Sequence, residues 1–367
     1  MTVLSDVLSE AEVGRRIRQA RLRAGYSSGV AFAHEVGLTQ STLSRIESGR
    51  RAVTLPEVMR IAAALGRPPE SFLEAEASGE PRFRLAVGTE LDAATEPAVR
   101  WLEGFAYRVK ALREFTPEAD VPKPDLIEAD PPKSFSEAII AADHARRALG
   151  LGSGPAPEMF ELLERVGCLV VVRPLGTGPD AVYVPSPGRI ALVNGSRPRV
   201  RQRFTLGHEL AHHIFHGSFV TVDANIHDLG SRAEQFCNTF AAYFLMPKSG
   251  IESELHRRFT LERPKRPEHM FWLAIHFGVS VEAMCYQLQN LGLIDAGTAR
   301  TWLGEDRKAL AYALGLIDER QRPPVSQRWP PEFMQRLRYA LQHHVLDRAQ
   351  VKKQLENDTL AVEAVVN

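Results

Sequence analysis

The sequence predicts a mostly helical α+β protein with more than one domain. Its 367 residues exceed what one ordinary core holds, so two or three domains are expected. Between residues 10 and 75, apolar positions recur at helical spacing and no strand signal appears. Three short runs of strand type follow near 168–194, and helical patterns resume after them, which predicts a small sheet inside a helical domain.

Composition favours a globular protein of the cytoplasm. Apolar residues make up 44% and charged residues 25% of the chain. No stretch approaches the roughly 18 consecutive apolar residues of a membrane span, and the acidic N-terminus is unlike a secretory signal. Three widely spaced cysteines without a C-x-x-C pair favour reduced thiols over disulfides or a cysteine-based zinc site. We therefore expect a cytoplasmic protein without a membrane partner.

Charge is unevenly distributed although the formal net charge is zero. Between Gly14 and Arg51 the chain has eight arginines against two glutamates. A second basic run occupies alternate positions from Arg197 to Arg203. Basic patches in a neutral chain indicate a small module that faces nucleic acid and is attached to something else.

The first domain is predicted at residues 1–78 as a set of short helices. Its third helix follows Thr39, a good N-cap, and ends before Gly49, which fits the C′ position. Leu43 and Ile46 of this helix face inward. The other helices are expected near 13–22, 30–36 and 58–65.

The outer face of the third helix fits the major groove of double-stranded DNA. Glutamine, serine and arginine can reach base edges there, while arginines outside the helix contact phosphates. A solvated helical bundle is the alternative. The candidate DNA contacts are Gln40, Ser41, Ser44, Arg45 and Arg50.

Four further segments are predicted along the chain. Residues 79–135 are rich in Gly, Pro and acidic residues and are predicted to form a linker with one bracing helix near 99–115. Residues 136–250 are predicted to contain strands at 168–172, 181–184 and 190–194 and helices at 203–216 and 231–246. The strand from Arg189 to Asn194 is a candidate edge strand with which an extended substrate could pair. A helical segment at 251–300 and a helical tail at 301–367 complete the chain.

A metal site is predicted on the helix near 203–216. His208 and His212 are four residues apart, so both imidazoles project from one helix face and can hold two corners of a Zn²⁺ tetrahedron. Glu209 can act as general base towards a water at the metal, as in H-E-x-x-H peptidases. Phe215 and Ser218 exclude the metzincin spacing, which requires Gly and His there.

One more protein ligand is needed, and Glu234 on the following helix is favoured for it. Asn238 lies one turn further on the same face. Small residues on both helices, such as Gly207 and Ala241, would allow the close approach that a shared metal requires. Three competitors for the third ligand remain open, namely Asp223, His227 and Asp228.

The segments Arg201–His212 and Asn238–Pro247 closely resemble those of ImmA/IrrE-type metallopeptidases. The resemblance covers roughly 136–300 and implies a gluzincin-like fold, with a small mixed sheet and a second, glutamate-bearing helix. It also implies that His208 and His212 are ligands, Glu209 the base and Glu234 the third ligand. Relatives usually read E-x-E-A-N in the second motif, whereas this chain reads Glu234-Gln-Phe-Cys-Asn238 and keeps only the first acid.

Three polar residues are candidates for supporting roles at this site. His213 and Tyr243 could stabilise an oxyanion, although such residues are more often packed structural ones. Asn238 is a candidate for the same role or for contact with a ligand.

Residues 13–73, above all Gly37 to Gly49, resemble XRE/Cro-type helix-turn-helix domains. The resemblance implies operator binding, alone or as a homodimer, and a structural bridge between Arg21 and Glu47. The turn at Tyr26–Gly29 looks one residue longer than in relatives. A second, weaker helix-turn-helix pattern at 273–288 lacks outward Arg and Lys, which favours a structural or substrate-docking role.

Together the resemblances imply a DNA-binding regulator with zinc-dependent endopeptidase activity. Its substrate would be a helix-turn-helix repressor, cleaved in a stress or mobile-element response. The rival interpretation is a transcription factor or antitoxin whose peptidase-like domain is a sensor or partner-binding module with structural zinc. The presence of Glu209 favours the enzyme, because a structural metal site needs no base.

Overall fold

The structure is a computed structural model, and it describes residues 10–24, 26, 28–65, 72, 95–121, 127, 129–185, 189–215, 221–223, 232–315 and 323–366. Contacts divide the chain into two units. The first unit comprises Met1–Phe83, Glu103–Ala119 and Gln335–Asn367, and the second comprises Arg84–Leu102 and Asp120–Met334. The predicted linker residues 79–94 lie outside the described part of the chain.

Helices dominate both units. They are α1 (Glu10–Arg23), α2 (Gly29–Glu35), α3 (Gln40–Glu47), α4 (Leu55–Leu65), α5 (Glu96–Phe115), α6 (Phe135–Ala148), α7 (Met159–Arg165), α8 (Arg199–Ile214), α9 (Arg232–Leu245), α10 (Lys248–Phe259), α11 (Pro267–Phe277), α12 (Val281–Asn290), α13 (Ala296–Leu303), α14 (Arg307–Leu314), α15 (Pro331–Gln342), α16 (Arg348–Gln354) and α17 (Thr359–Val366). The strands are β1 (Leu169–Arg173), β2 (Ala181–Val184), β3 (Ile190–Asn194) and β4 (Thr221–Asp223). No helix in the described ranges is long and apolar enough to cross a bilayer.

In the first unit, α1 to α4 pack around one apolar core. The side chains that fill it include Ile17, Phe32, Leu43, Ile46 and Ile61. Thr39 caps α3 as predicted, since its hydroxyl oxygen accepts a hydrogen bond from the Thr42 amide at 3.1 Å. Gly49 has φ +66°, the left-handed conformation expected just after a helix.

The last helices of the chain also belong to the first unit. Arg336 donates to the Thr116 carbonyl at 2.6 Å, and Arg108 donates to the Gln354 carbonyl at 2.8 Å. Lys353 lies 3.2 Å from Glu35 of α2. The segment expected as a single tail at 301–367 is therefore divided, with its final residues packed on the helical bundle.

A four-stranded mixed sheet organises the second unit, in the order β1-β3-β2-β4. β1 pairs parallel to β3, while β2 pairs antiparallel to both β3 and β4. Nearly every position of β1, β2 and β3 is buried, which is typical of a sheet covered on both faces. The three predicted strands are present, and β4 is an addition that the sequence analysis did not include.

The prediction that Arg189 to Asn194 offers an edge to a substrate is wrong. β3 is a central strand: Leu192 pairs with Val171 on one side and Val182 on the other. Its backbone donors and acceptors are therefore used within the sheet, and an extended peptide cannot add there.

Two helices next to the sheet, α8 and α9, carry the residues predicted to bind metal. α8 packs on α7, β2, β3 and α9, and α9 packs on α6 as well. Gly207 of α8 lies so close to α9 that a Cβ there would meet Leu245 Cδ1 at 3.3 Å and Ala241 Cβ at 3.4 Å. The small residues noted in the sequence thus bring the two helices together.

Candidate functional site

The motif His208-Glu209-x-x-His212 lies in the buried half of α8. Leu206 precedes the motif and Leu210 lies within it, and both join the core of the second unit. Glu209 has none of its surface exposed, His208 1% and His212 6%. Helical spacing therefore places both imidazoles in the protein interior, where a polar group is costly unless it has a hydrogen-bond or metal partner.

Three potential ligand atoms converge at this place. His208 Nε2 lies 2.9 Å from His212 Nε2 and 3.0 Å from Glu234 Oε2. His212 Nε2 lies 3.5 Å from the same oxygen of Glu234. The first two residues come from α8 and the third from the first turn of α9.

These donors fit a zinc ion by chemistry and by spacing. Two neutral imidazoles and one carboxylate are a common donor set for catalytic zinc, with the fourth position left for water. Adjacent ligand atoms of such a tetrahedron are about 3.3 Å apart. The three separations, from 2.9 to 3.5 Å, lie on both sides of this value.

Glu234 is held in its charged form by the histidines. Burial by itself raises the pKa of this carboxyl group, but protonated His208 and His212 outweigh burial through their hydrogen bonds and charges and leave the pKa well below its ordinary value. A zinc ion, with its own positive charge, would take the place of those imidazole protons. A carboxylate with a low pKa stays ionised over the physiological range, as a metal ligand must.

Asn238 orients His208 from the next turn of α9. Its Oδ1 lies 2.9 Å from His208 Nδ1 and accepts a hydrogen bond from that nitrogen. A proton on Nδ1 leaves the lone pair on Nε2, the atom that faces His212 and Glu234. Asn238 was a candidate either for stabilising an oxyanion or for contacting a metal-binding residue, and this hydrogen bond to His208 supports the second role.

Cys237 is the residue that sequence reasoning missed. Its potential ligand atom joins those of His208 and His212 in a group within 4.8 Å of one another. The thiol Sγ lies 3.7 Å from Nδ1 of His212, however, and so faces the opposite side of the ring from Glu234. The signal available in the sequence was position alone, because Cys237 lies between Glu234 and Asn238 on one helix.

His213 is bonded within the fold at both ring nitrogens. Nε2 donates to the Val166 carbonyl at 2.9 Å, and Nδ1 lies 3.3 Å from the Tyr183 hydroxyl. Tyr183 is a second residue that the sequence analysis left out, and its ring lies nearly parallel to that of His212, at 18° and with the ring centroids 6.5 Å apart. This bonding favours the packed structural role that was the alternative for His213.

Four further candidates are Tyr243, for an oxyanion, and the three competitors of Glu234 for the third ligand position. Tyr243 is half-buried in α9, and burial raises the pKa of its hydroxyl group. Asp223 pairs through its backbone with Ala181 at the end of β4, and its side chain is not described. His227 and Asp228 lie outside the described residues.

The second basic run, from Arg197 to Arg203, was predicted to face nucleic acid, and this prediction is wrong. Arg197 and Arg201 both bind the buried carboxylate of Asp180, at 2.6 and 2.5 Å. Arg199 pairs with Glu158 at 2.5 Å. Alternating arginines at the start of α8 therefore tie the helix to its neighbours.

The predicted DNA-contacting face of α3 is open to solvent. Leu43 and Ile46 are buried as expected, whereas the five candidate contacts are exposed; these are Gln40, Ser41, Ser44, Arg45 and Arg50. Arg21 Nε binds Glu47 Oε1 at 2.6 Å, so the bridge implied by the family resemblance is present. In the unusual turn, Ser28 caps α2, while Ser27 is outside the described residues.

The second helix-turn-helix pattern is formed by α11 and α12. Its apolar positions, including Met284 and Leu288, belong to the core of the second unit. The segment therefore serves the fold of this unit, in agreement with the structural role.

Comparison with known families finds two matches, one in each of the two units. Residues 17–72 match a helix-turn-helix family, and residues 163–289 match the IrrE N-terminal-like domain of the M78 peptidases. The matched ranges include α3 in the first case and the convergent residues of α8 and α9 in the second.

One curated relative is the radiation response metalloprotease IrrE of Deinococcus radiodurans, 33% identical over 166 residues. The match covers 41% of this chain and half of the length of that relative. Two solved structures are aligned over most of this chain. Bacillus thuringiensis PlcR with the peptide PapR7 and DNA has 13% identity, TM-score 0.16 and coverage of 97% and 99% of the two chains. ComR from Streptococcus suis has 12% identity, TM-score 0.17 and coverage of 98% and 93%. TM-scores this low do not indicate a shared fold.

Proposed function

Because the chain carries an XRE-type helix-turn-helix domain and an IrrE-type peptidase domain, we propose that it is a DNA-binding regulator with zinc-dependent endopeptidase activity. The observation that carries the enzymatic part is the convergence of His208 Nε2, His212 Nε2 and Glu234 Oε2 within 3.5 Å. Glu209 lies between the two histidines on α8, and a purely structural metal site would have no use for it.

The chain's own residues supply the remaining chemistry. Zinc, when bound, lowers the pKa of a water molecule and polarises the scissile carbonyl group. The Glu209 carboxylate accepts the proton of the attacking water and returns it to the leaving amine, as a general base and then a general acid. The Asn238 hydrogen bond would keep the Nε2 lone pair of His208 available to hold the metal.

Fusion to a DNA-binding domain supports a protein of gene regulation as the substrate. The relative from Deinococcus radiodurans is named a radiation response metalloprotease, which supports a stress response in this chain as well. We propose a helix-turn-helix repressor as the substrate, cleaved so that the genes it controls are expressed. The exposed face of α3 brings the peptidase to an operator in double-stranded DNA.

Metal analysis combined with a cleavage assay tests this proposal. The purified full chain should contain close to one zinc ion, and His208→Ala and Glu234→Ala should lose most of it. Zinc-loaded protein should cleave one of the helix-turn-helix repressors encoded beside its own gene.

Two results would contradict parts of the proposal. Full zinc binding by Glu234→Ala would remove Glu234 from the ligand set and leave Asp223 or His227 as the third ligand. Stoichiometric zinc without cleavage of any neighbouring repressor or toxin would favour the sensor or antitoxin.

A further inference from the structure

We propose that Cys237 is a positioning residue that orients His212 for metal binding by accepting a hydrogen bond from its Nδ1–H. The inference rests on the proposed function in one respect, because it takes His212 as a metal ligand. It goes beyond that function by giving a role to a thiol that sequence reasoning had set aside.

One turn of α9 provides partners for both histidines. Glu234 faces the two Nε2 atoms, while the adjacent residues Cys237 and Asn238 face the two Nδ1 atoms. Asn238 Oδ1 lies 2.9 Å from His208 Nδ1, and Cys237 Sγ lies 3.7 Å from His212 Nδ1. The two contacts are equivalent in position and differ in the chemistry of the acceptor.

The direction of the second hydrogen bond follows from the other side of the ring. His212 Nε2 is 2.9 Å from His208 Nε2 and 3.5 Å from Glu234 Oε2, so its lone pair must be available at that nitrogen for a metal. Nδ1 then carries the proton, and the sulfur is the acceptor. A sulfur acceptor is weak, but water does not compete, since Cys237 is 3% and His212 6% exposed.

The same geometry argues against Cys237 as a direct ligand. The thiol faces Nδ1, whereas Glu234 and His208 face Nε2 of the same ring. For sulfur and His208 to share an ion with His212, this ring would have to bind through its other nitrogen. In the structure Nε2 is the nitrogen that lies near Glu234, 3.5 Å from its Oε2.

The test compares Cys237→Ala with Cys237→Ser in the full-length protein. Zinc affinity is measured by competition with a chromophoric chelator. Loss of a group that orients a ligand typically lowers metal affinity about 10- to 100-fold, and we expect Cys237→Ala to lie near the lower limit. Serine keeps an acceptor and should restore most of the affinity. Cys285→Ala is the matched control, a buried cysteine in α12 whose sulfur contacts the Ala299 carbonyl.

A second readout does not depend on affinity. In zinc-loaded protein, the Nδ1 proton of His212 should give a slowly exchanging NMR signal in the parent and in Cys237→Ser, and exchange faster in Cys237→Ala. Cobalt-loaded parent should lack a thiolate-to-cobalt charge-transfer band. The presence of that band would overturn the proposal by making Cys237 a ligand.

Two results for zinc affinity would also overturn the proposal. One is equal affinity of the parent and Cys237→Ala. The other is an equal loss of affinity in the alanine and serine variants, which would indicate that Cys237 acts through packing alone. A parent that binds no zinc contradicts the proposed function itself. A parent that binds zinc without regard to Cys237 contradicts only this inference.

Discussion

Asn238 Oδ1 accepts a hydrogen bond of 2.9 Å from His208 Nδ1, across the interface between α8 and α9. The bond fixes which nitrogen of His208 carries the proton and so prepares Nε2 as a ligand. It also links a residue of the H-E-x-x-H motif to the helix that bears Glu234.

Asn238→Ala should therefore weaken zinc binding about 10- to 100-fold while the protein stays folded. The measurement is zinc affinity by chelator competition, with circular dichroism as the check on folding. Asn290→Ala, at the exposed end of α12, is the control and should bind zinc as the parent does. Parent-like affinity in Asn238→Ala would show that the contact does not orient His208.

The close approach of α8 and α9 at Gly207 leads to a second prediction. Gly207→Val would place methyl groups where even a Cβ meets Leu245 and Ala241 at 3.3 and 3.4 Å. The helices must separate or the core must strain, at a cost of about 1–3 kcal/mol, and Glu234 would move away from the histidines. We expect at least a tenfold loss of zinc affinity.

Gly104→Val is the matched control for this effect. A Cβ at Gly104, within α5, meets nothing within 4 Å, so the same substitution should leave zinc binding unchanged. If both variants bind zinc like the parent, the spacing of α8 and α9 does not determine the metal site.

The exposed face of α3 gives a third prediction, tested with the full chain on DNA from upstream of its own gene. Arg45→Ala should reduce binding to the specific site by about 1–3 kcal/mol and change non-specific binding much less. Arg50→Ala should weaken binding to all sequences and lower the salt slope by about 1. Arg263→Ala, an exposed arginine of the second unit, is the control. Unchanged discrimination in Arg45→Ala would favour a protein-docking role for the module.

Much of the site could be predicted because its residues obey local rules. The i, i+4 spacing of His208 and His212 is a property of any helix, and Thr39 caps α3 through its own neighbours. The strands at 181–184 and 190–194 were bounded by turn residues and appear at those limits.

The features that could not be predicted from the sequence depend on contacts between distant segments of the chain. The arginines from Arg197 to Arg201 look like a basic patch until Asp180 and Glu158 are placed beside them. The central position of β3 depends on which strands pair with it, which a short apolar run does not reveal. Cys237 could be linked to His212 only once α8 and α9 were packed together.

Substitution of Glu209 by glutamine tests the central claim most directly. Glu209→Gln keeps size and helix propensity but cannot accept a proton from the attacking water. The measurement is the rate of cleavage of the repressor that the zinc-loaded parent cleaves, with zinc content determined on the same samples. We predict near-stoichiometric zinc and a rate lower by about 10²–10⁴. Cleavage by Glu209→Gln at the rate of the parent would contradict the account, because the buried glutamate beside His208 would then have no part in the reaction.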